Sequence, residues 1–276
     1  MPTLKQIISE QFGEKIAETI PTSFDVVGSK LIFPSFPKLP KKTEHSIGMI
    51  ILSTLKHVDS VFKKTHKFSG RYRTQKLSLI AGKQSKVTEY REHNCSILLD
   101  VEKVYFSPRL GNERKRIFEK IKTNESVLVL FSGSGIYPIT ITKNSMAKKI
   151  VGIELNPVAH LYALANVRNN KVEGKVFLIK DDAKKQLPKL KEKFDRILMP
   201  LPKAAASFLE ATLLKANKGA IIHFYCFGHE EDIPGLIKKI TDACRKKRRK
   251  CAILNVVPCG HYAPYVYRYC IDFRVG

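Results

Sequence analysis

VLVLFSGSGIYPI, residues 127–139, is a continuous apolar run that turns on two glycines and resumes with helical spacing. Such a run reads as a strand buried on both faces, and Gly133 and Gly135 after it mark a tight turn where backbone can approach a ligand. The same texture repeats downstream. KKIVGIEL (148–155), KVFLIKDD (175–182), FDRILMPLP (194–202) and GAIIHFYCF (219–227) alternate with helical stretches at 159–169 and 232–250. Strands alternating with crossover helices predict a parallel, doubly wound sheet. The chain closes with CAILNVVPC (251–259) and YVYRYCIDFRV (265–275), two extended runs expected to pair antiparallel at the sheet edge.

Upstream of residue 104 the segments are short and rich in basic and β-forming residues, as in KKTHKFSGRYRTQKL (63–77). Leu4–Ile20 has the spacing of one amphipathic helix, stopped by Pro21. Phe24–Phe33 is extended, His45–Leu55 helical and Asp59–Lys63 extended. The expected organisation is a small α+β domain over 1–104 followed by an α/β domain over 105–276.

The chain has 276 residues, 43% of them hydrophobic, and carries 49 Lys and Arg against 25 Asp and Glu, a formal charge of +24. That excess points to an anionic partner such as nucleic acid, although a lysine-rich solvated surface gives the same count. No apolar run approaches a membrane span, and the first residues lack the pattern of a secretory signal, so a cytoplasmic chain without membrane contact is expected. The six cysteines form no C-x-x-C pair, so we expect free thiols and no structural metal.

Glu154 ends the second strand of the α/β region, about 20 residues past the glycines, where a carboxylate accepts hydrogen bonds from the ribose hydroxyls of a nucleoside. Asp181 and Asp182 end the third strand and are candidates for the adenine edge. This spacing fits a dinucleotide or S-adenosylmethionine. Pro138 stands where a dinucleotide fingerprint wants its third glycine, which favours the phosphate-free cofactor. The fourth strand ends in Pro200 and Pro202, two fixed φ angles and two missing donors in a loop at the carboxyl edge.

VYFSPRLGNERKRI (104–117), LFSGSG, GIELNP, ILMPLPKAAASFLE and GAIIHFY together resemble the archaeal and eukaryotic tRNA guanine-37 N1-methyltransferases and their paralogue, the aminocarboxypropyltransferase of wybutosine synthesis. The resemblance runs from about Ile20 to the C-terminus. It implies a Rossmann-like class I S-adenosylmethionine-dependent methyltransferase domain and a smaller N-terminal domain touching the anticodon arm of tRNA; a monomer without metal is expected. It carries Glu113 over as general base, with Arg114 beside it, Arg73 as the guanine-binding cation and Tyr105 as the aromatic of the motif. Phe131, Gly133, Gly135, Glu154, Asp181 and Asp182 fall on the cofactor side, and Pro200 and Pro202 on the substrate side. On spacing alone, Glu113 equally pairs with Arg116 at i,i+3, Arg73 is one solvated cation among many, and Tyr105 is core.

Three departures from the family pattern stand out. Val129 replaces the usual acidic residue two positions before Phe131. Pro200-Leu201-Pro202 stands in place of Asn-Leu-Pro, as in the archaeal subgroup that also methylates carbon 7 of a tricyclic wyosine intermediate. Only about 20 residues precede IPTSFDVVG, a layout shared with the aminocarboxypropyltransferases. The implied activity is methyl transfer to N1 of guanine 37 and to carbon 7 of the intermediate, with aminocarboxypropyl transfer or an inactive RNA-binding module as alternatives. RNA contact is expected of Arg245–Lys250 and of KKTHKFSGRYR; cations at a helix end are the alternative for the first.

Overall fold

The computed structural model describes residues 4–276, the side chains of Leu4 and Lys67 excepted. The chain divides into two compact units, one ending at Arg91 and including Ser96–Pro108, the other comprising Glu92–Cys95 and Arg109–Gly276. The boundary therefore lies four residues beyond the expected one. Tyr105 and Phe106 hold the linker to the first unit through edge-on contacts with Phe68 and Tyr90, at 5.0 and 4.8 Å.

In the first unit, α1 (Leu4–Phe12) and α2 (Glu14–Thr19) replace the single expected helix. Gly13 breaks it, at φ 83°, a left-handed conformation that a helix interior does not accommodate. β1 (Asp25–Val27), β2 (Lys30–Phe33), β3 (Ser60–Ser69) and β4 (Thr74–Gly82) form one sheet in sequence order, with α3 (Lys41–Thr54) crossing between the parallel β2 and β3. A Cβ on Gly48 would lie 2.5 Å from that of Ala81, so α3 packs on β4 at backbone contact. Ile8, Leu31, Phe33, Ile47, Ile51 and Val61 close this core. β5 (Val87–Glu92) and β6 (Cys95–Asp100) make a separate hairpin. Its two turn residues, His93 and Asn94, both have positive φ, as a two-residue hairpin loop requires.

The second unit opens with α4 (Gly111–Glu119) and then alternates β7 (Ser126–Leu130), α5 (Ile136–Asn144), β8 (Lys149–Glu154), α6 (Pro157–Asn169), β9 (Val176–Lys180), α7 (Ala183–Lys189), β10 (Phe194–Met199), α8 (Leu209–Leu213), β11 (Ala216–Gly228) and α9 (Ile233–Lys246). β12 (Cys251–Ala263) and β13 (Val266–Val275) finish it as the expected antiparallel pair. The seven strands lie in the order β12-β13-β11-β10-β7-β8-β9, with β7 to β11 parallel. Leu128, Leu130, Ile153, Ile197, Met199, Ile222, Phe224 and Phe273 are buried in its core, each burial worth roughly 1.5–3 kcal/mol.

This order fixes the place of chemistry. Strand order reverses at β7, whose neighbours are β8 and β10, and ligands of open parallel sheets bind outside the carboxyl ends at such a point. The loops there carry Phe131–Gly135, Glu154, Asp181 and Pro200. Among the described residues no helix is long and apolar enough to cross a membrane. The six cysteines are free, and four of them are buried.

Candidate active site

The β7 loop is drawn onto Glu154. The Gly133 amide donates to Glu154 Oε2 and the Asn156 amide to Oε1, each at 2.7 Å, leaving each oxygen further acceptor capacity. Burial pushes the Glu154 carboxyl up, while the amides of Asn156, Gly133 and Leu155 pull it down. Gly135 caps α5 at φ 84°, and a Cβ there would come 3.2 Å from Ala163, so the loop presses against α6. Phe131, also at positive φ, sets its ring edge-on to Phe208 at 4.9 Å.

These contacts decide between cofactor classes. A pyrophosphate needs a nest of open amides at the helix start. Here the Ser132 amide is bonded to Ile153, the Gly133 amide to Glu154 and the Gly135 amide to Ser132. A carboxylate already sits where a phosphate would. The buried hydroxyls of Ser132 and Ser134 have no partner among the described residues, which suits an uncharged or hydroxyl-bearing neighbour. The site fits a nucleoside whose charge is not a phosphate.

Asp181 is half-buried, and its Oδ1 accepts the Asp182 amide. Asp182, expected at the adenine edge with it, caps the N-terminus of α7 by accepting the Lys184 amide at 2.9 Å. After β10, Pro200 sits in a tight turn closed by the Leu201 amide on the Met199 carbonyl. Pro202 and Lys203 follow, and the Leu201 carbonyl accepts the amides of Ala204 and Ala205.

Glu113 lies on α4, 4% exposed. Arg116 chelates it, Nε to Oε2 and Nη2 to Oε1, both 2.7 Å, and the Tyr225 hydroxyl donates to Oε1 at 2.6 Å. Oε1 thus has both lone pairs occupied, whereas Oε2 keeps one. The i,i+3 pairing foreseen from spacing therefore exists, and it orients the carboxylate instead of leaving it loose. Arg114, expected beside Glu113 at the site, faces elsewhere because successive helix residues diverge by about 100°. It is 2% exposed and clasps Glu92 with both Nε and Nη2.

Arg116 also donates to Asp272 Oδ2 at 2.6 Å. Asp272 Oδ1 in turn accepts His223 Nδ1 at 2.6 Å and the Cys270 thiol at 3.3 Å. Arg196 donates to His223 Nε2 at 2.8 Å and forks onto Glu125. Among the described residues, His223, Cys270 and Asp272 are the one group whose ligand atoms converge as a metal would need. Asp272 accepts from His223, Cys270 and Arg116, His223 Nε2 accepts from Arg196, and the Cys270 thiol keeps its proton; with two guanidinium groups alongside, the cluster is a hydrogen-bond network and not a cation site. None of Arg116, Tyr225, His223 and Asp272 was singled out as functional from sequence. The available signal was an ionisable residue in the middle of each of three apolar strands: Arg196, His223 and Asp272.

Burial pushes the His223 imidazole down, and Arg196 and Arg116 add to this while Asp272 opposes it. The ring is neutral, because Nε2 must hold a lone pair for Arg196. Burial would raise Asp272, but the His223 and Arg116 contacts outweigh it and hold the carboxyl well below its usual range. The unfolded imidazole, with its ordinary value of 6.5, binds a proton that the folded one refuses. Stability is therefore full above that pH and falls beneath it, by about 1.4 kcal/mol per pH unit for this one group. His160, also pushed down, adds in the same sense. Calorimetric melting should drop steadily from pH 6.5 to 5; an unchanged melting temperature over that interval would contradict the neutral buried ring.

In the first unit, Arg73 sits in the β3–β4 turn at φ 51°, with its guanidinium 5.4 Å from the Tyr105 ring centroid. Tyr105 packs on Phe68, and Lys64 lies over the same Phe68 at 4.7 Å. The structure thus joins Arg73 and Tyr105 in one cation–aromatic cluster. The basic run at 245–250 is partly spent on the fold. Arg249 donates to the carbonyls of Gly276 and Asn217, Lys246 and Lys247 reach Glu210, and Arg245 pairs with Asp242.

Residues 88–254 match the TRM5/TYW2 methyltransferase domain, and residues 4–85 the TYW2 N-terminal domain. The chain is 36% identical to the tRNA (guanine(37)-N(1))-methyltransferase Trm5b of Pyrococcus abyssi, over 95% of this chain and 78% of that protein. It is 33% identical to the tRNA (guanine(37)-N(1))/4-demethylwyosine(37)-methyltransferase Taw22 of Nanoarchaeum equitans, over 82% and 91%. Among solved structures, Methanocaldococcus jannaschii Trm5 in complex with adenosine superposes with a TM-score of 0.80 at 31% identity, over 99% of this chain and 78% of that one.

Proposed function

The chain belongs to the TRM5/TYW2 methyltransferase family, and from that premise we propose that it transfers a methyl group from S-adenosylmethionine to N1 of guanine 37 in tRNA, and to carbon 7 of the tricyclic wyosine intermediate at the same nucleotide. The observation that carries this reading is the oriented Glu113 carboxylate, fixed by Arg116 and Tyr225 in the same unit as the Gly133–Glu154 loop. Guanine N1 bears a proton at neutral pH, so its alkylation needs a base.

When bound, S-adenosylmethionine supplies an electrophilic methyl on its sulfonium. Glu154 would accept hydrogen bonds from the ribose hydroxyls, the glycine loop would let the nucleoside lie against backbone, and Phe131 and Asp181 would border the adenine. Glu113 Oε2, the oxygen with a lone pair to spare, takes the N1 proton. Arg73 is the cation for the charge that develops on O6, with Tyr105 fixing its guanidinium. Pro200 and Pro202 shape the entrance with no amide side chain at Pro200, which suits a base wider than guanine. The relative from Nanoarchaeum equitans, active on both guanosine and 4-demethylwyosine, supports the double specificity. The reading takes the protein as a cytoplasmic monomer whose methyl transfer needs no metal.

Replacing Glu154 by alanine should weaken cofactor binding by roughly 1.5–3 kcal/mol, the worth of charge-assisted hydrogen bonds. Calorimetric titration with S-adenosylmethionine checks this, and unchanged affinity would remove Glu154 from the site. The function itself is tested by incubating the protein and cofactor with tRNA transcripts bearing G or A at position 37, and with tRNA carrying the intermediate. Nucleoside analysis should find 1-methylguanosine from the first, nothing from the second and a C7-methylated tricycle from the third. Methylation of the A37 transcript at another guanosine would overturn the assignment.

A further inference from the structure

The hairpin of β12 and β13 turns through Pro264 and Tyr265, and Tyr265 is the most exposed large hydrophobic residue among those described, at 80%. Its φ is +59°. A bulky aromatic in the left-handed region costs about 1 kcal/mol or more, which glycine or asparagine would avoid. Among the described residues no ring contact offsets that cost, so the fold does not account for a tyrosine at this position.

The surroundings indicate what does. Tyr262, half exposed, stacks on Phe227 with centroids 4.1 Å apart and planes 29° from parallel. Lys203 lies over the Tyr262 ring and the Arg268 guanidinium over Phe227, each at 5.4 Å. Lys203 belongs to the Pro200–Pro202 loop, so the hairpin tip stands beside the carboxyl edge where substrate enters. Aromatic faces interleaved with cations, on a chain of charge +24, match an unpaired nucleotide: base against ring and phosphate against cation.

We propose that Tyr265 is a stacking post for an unpaired nucleobase of the anticodon loop next to the one being modified, with Lys203 and Arg268 holding the adjoining phosphates; this rests on the tRNA reading above. Stacking of this kind accounts for sequence-tolerant grip, since every base has a π-face.

The chain has no tryptophan, so Tyr265→Trp places a single fluorophore at the tip. Titration with an unmodified tRNA transcript should quench its emission. Tyr265→Asn removes the ring and relaxes the turn, so melting temperature and S-adenosylmethionine affinity should hold or rise while tRNA affinity falls at least fivefold. Unquenched tryptophan together with wild-type tRNA affinity in the asparagine variant would overturn the proposal. Loss of thermal stability in that variant would do so too, by showing that the ring serves the fold. Failure of the wild-type protein to bind tRNA at all would overturn the tRNA reading itself, and this proposal with it.

Discussion

Replacing Glu113 by glutamine is expected to slow single-turnover methylation of guanine N1 by on the order of 100-fold or more, with tRNA and cofactor affinities retained. Glutamine keeps the shape and still accepts from Arg116 and Tyr225 through its carbonyl oxygen. It places an amide nitrogen where Oε2 holds its spare lone pair, so the proton acceptor is lost, and with it the one bond that Oε2 accepts from Arg116 Nε. Arg116 keeps its bond to Asp272 in the variant, which limits the loss of stability. Rapid-quench assays at saturating tRNA and cofactor measure the step. Full single-turnover activity in the variant would refute Glu113 as the base.

The second large effect concerns Arg116, which pairs with two buried carboxylates, Glu113 and Asp272. Arg116→Ala strips both of their cation, and breaking a buried pair costs about 3–5 kcal/mol because the remaining charge has no partner. Against a typical total of roughly 5–15 kcal/mol, that threatens folding at ordinary temperature. Denaturant titration should find the midpoint sharply lowered. The double variant Arg116→Met with Asp272→Asn should recover part of the loss, since it removes charge from both sides. A single variant as stable as wild type would mean that the network is ornamental.

Much of the architecture is legible in the chain because buried parallel strands are written as unbroken apolar runs. VLVLF, KKIVGIEL and FDRILM all became strands of the seven-stranded sheet, and the expected closing hairpin is its edge. The N-terminal helix was less legible: apolar spacing runs through Gly13, but its left-handed backbone splits the helix there. At the site, loop residues at strand ends could be placed from spacing alone, because topology brings them together. The Glu113 network could not. Its members come from α4, β10, β11 and β13, and only the strand register sets His223 opposite Asp272. Helical phase, not adjacency, decides that Arg116 and not Arg114 serves Glu113. Asp182 illustrates the reverse: a strand-end carboxylate whose neighbour in sequence is a helix start, and which caps it.

The central claim is transfer of a methyl group, and the paralogous reaction uses the same cofactor with a different carbon. The match of residues 4–85 to the TYW2 N-terminal domain keeps that alternative in view. Two preparations of S-adenosylmethionine, one labelled in the methyl carbon and one in the carboxyl carbon of its amino-acid chain, separate the two reactions on a single tRNA. The account predicts that methyl label enters nucleotide 37 and carboxyl label does not. Entry of the carboxyl label would make the protein an aminocarboxypropyltransferase and contradict the account; entry of neither would leave it a binding module.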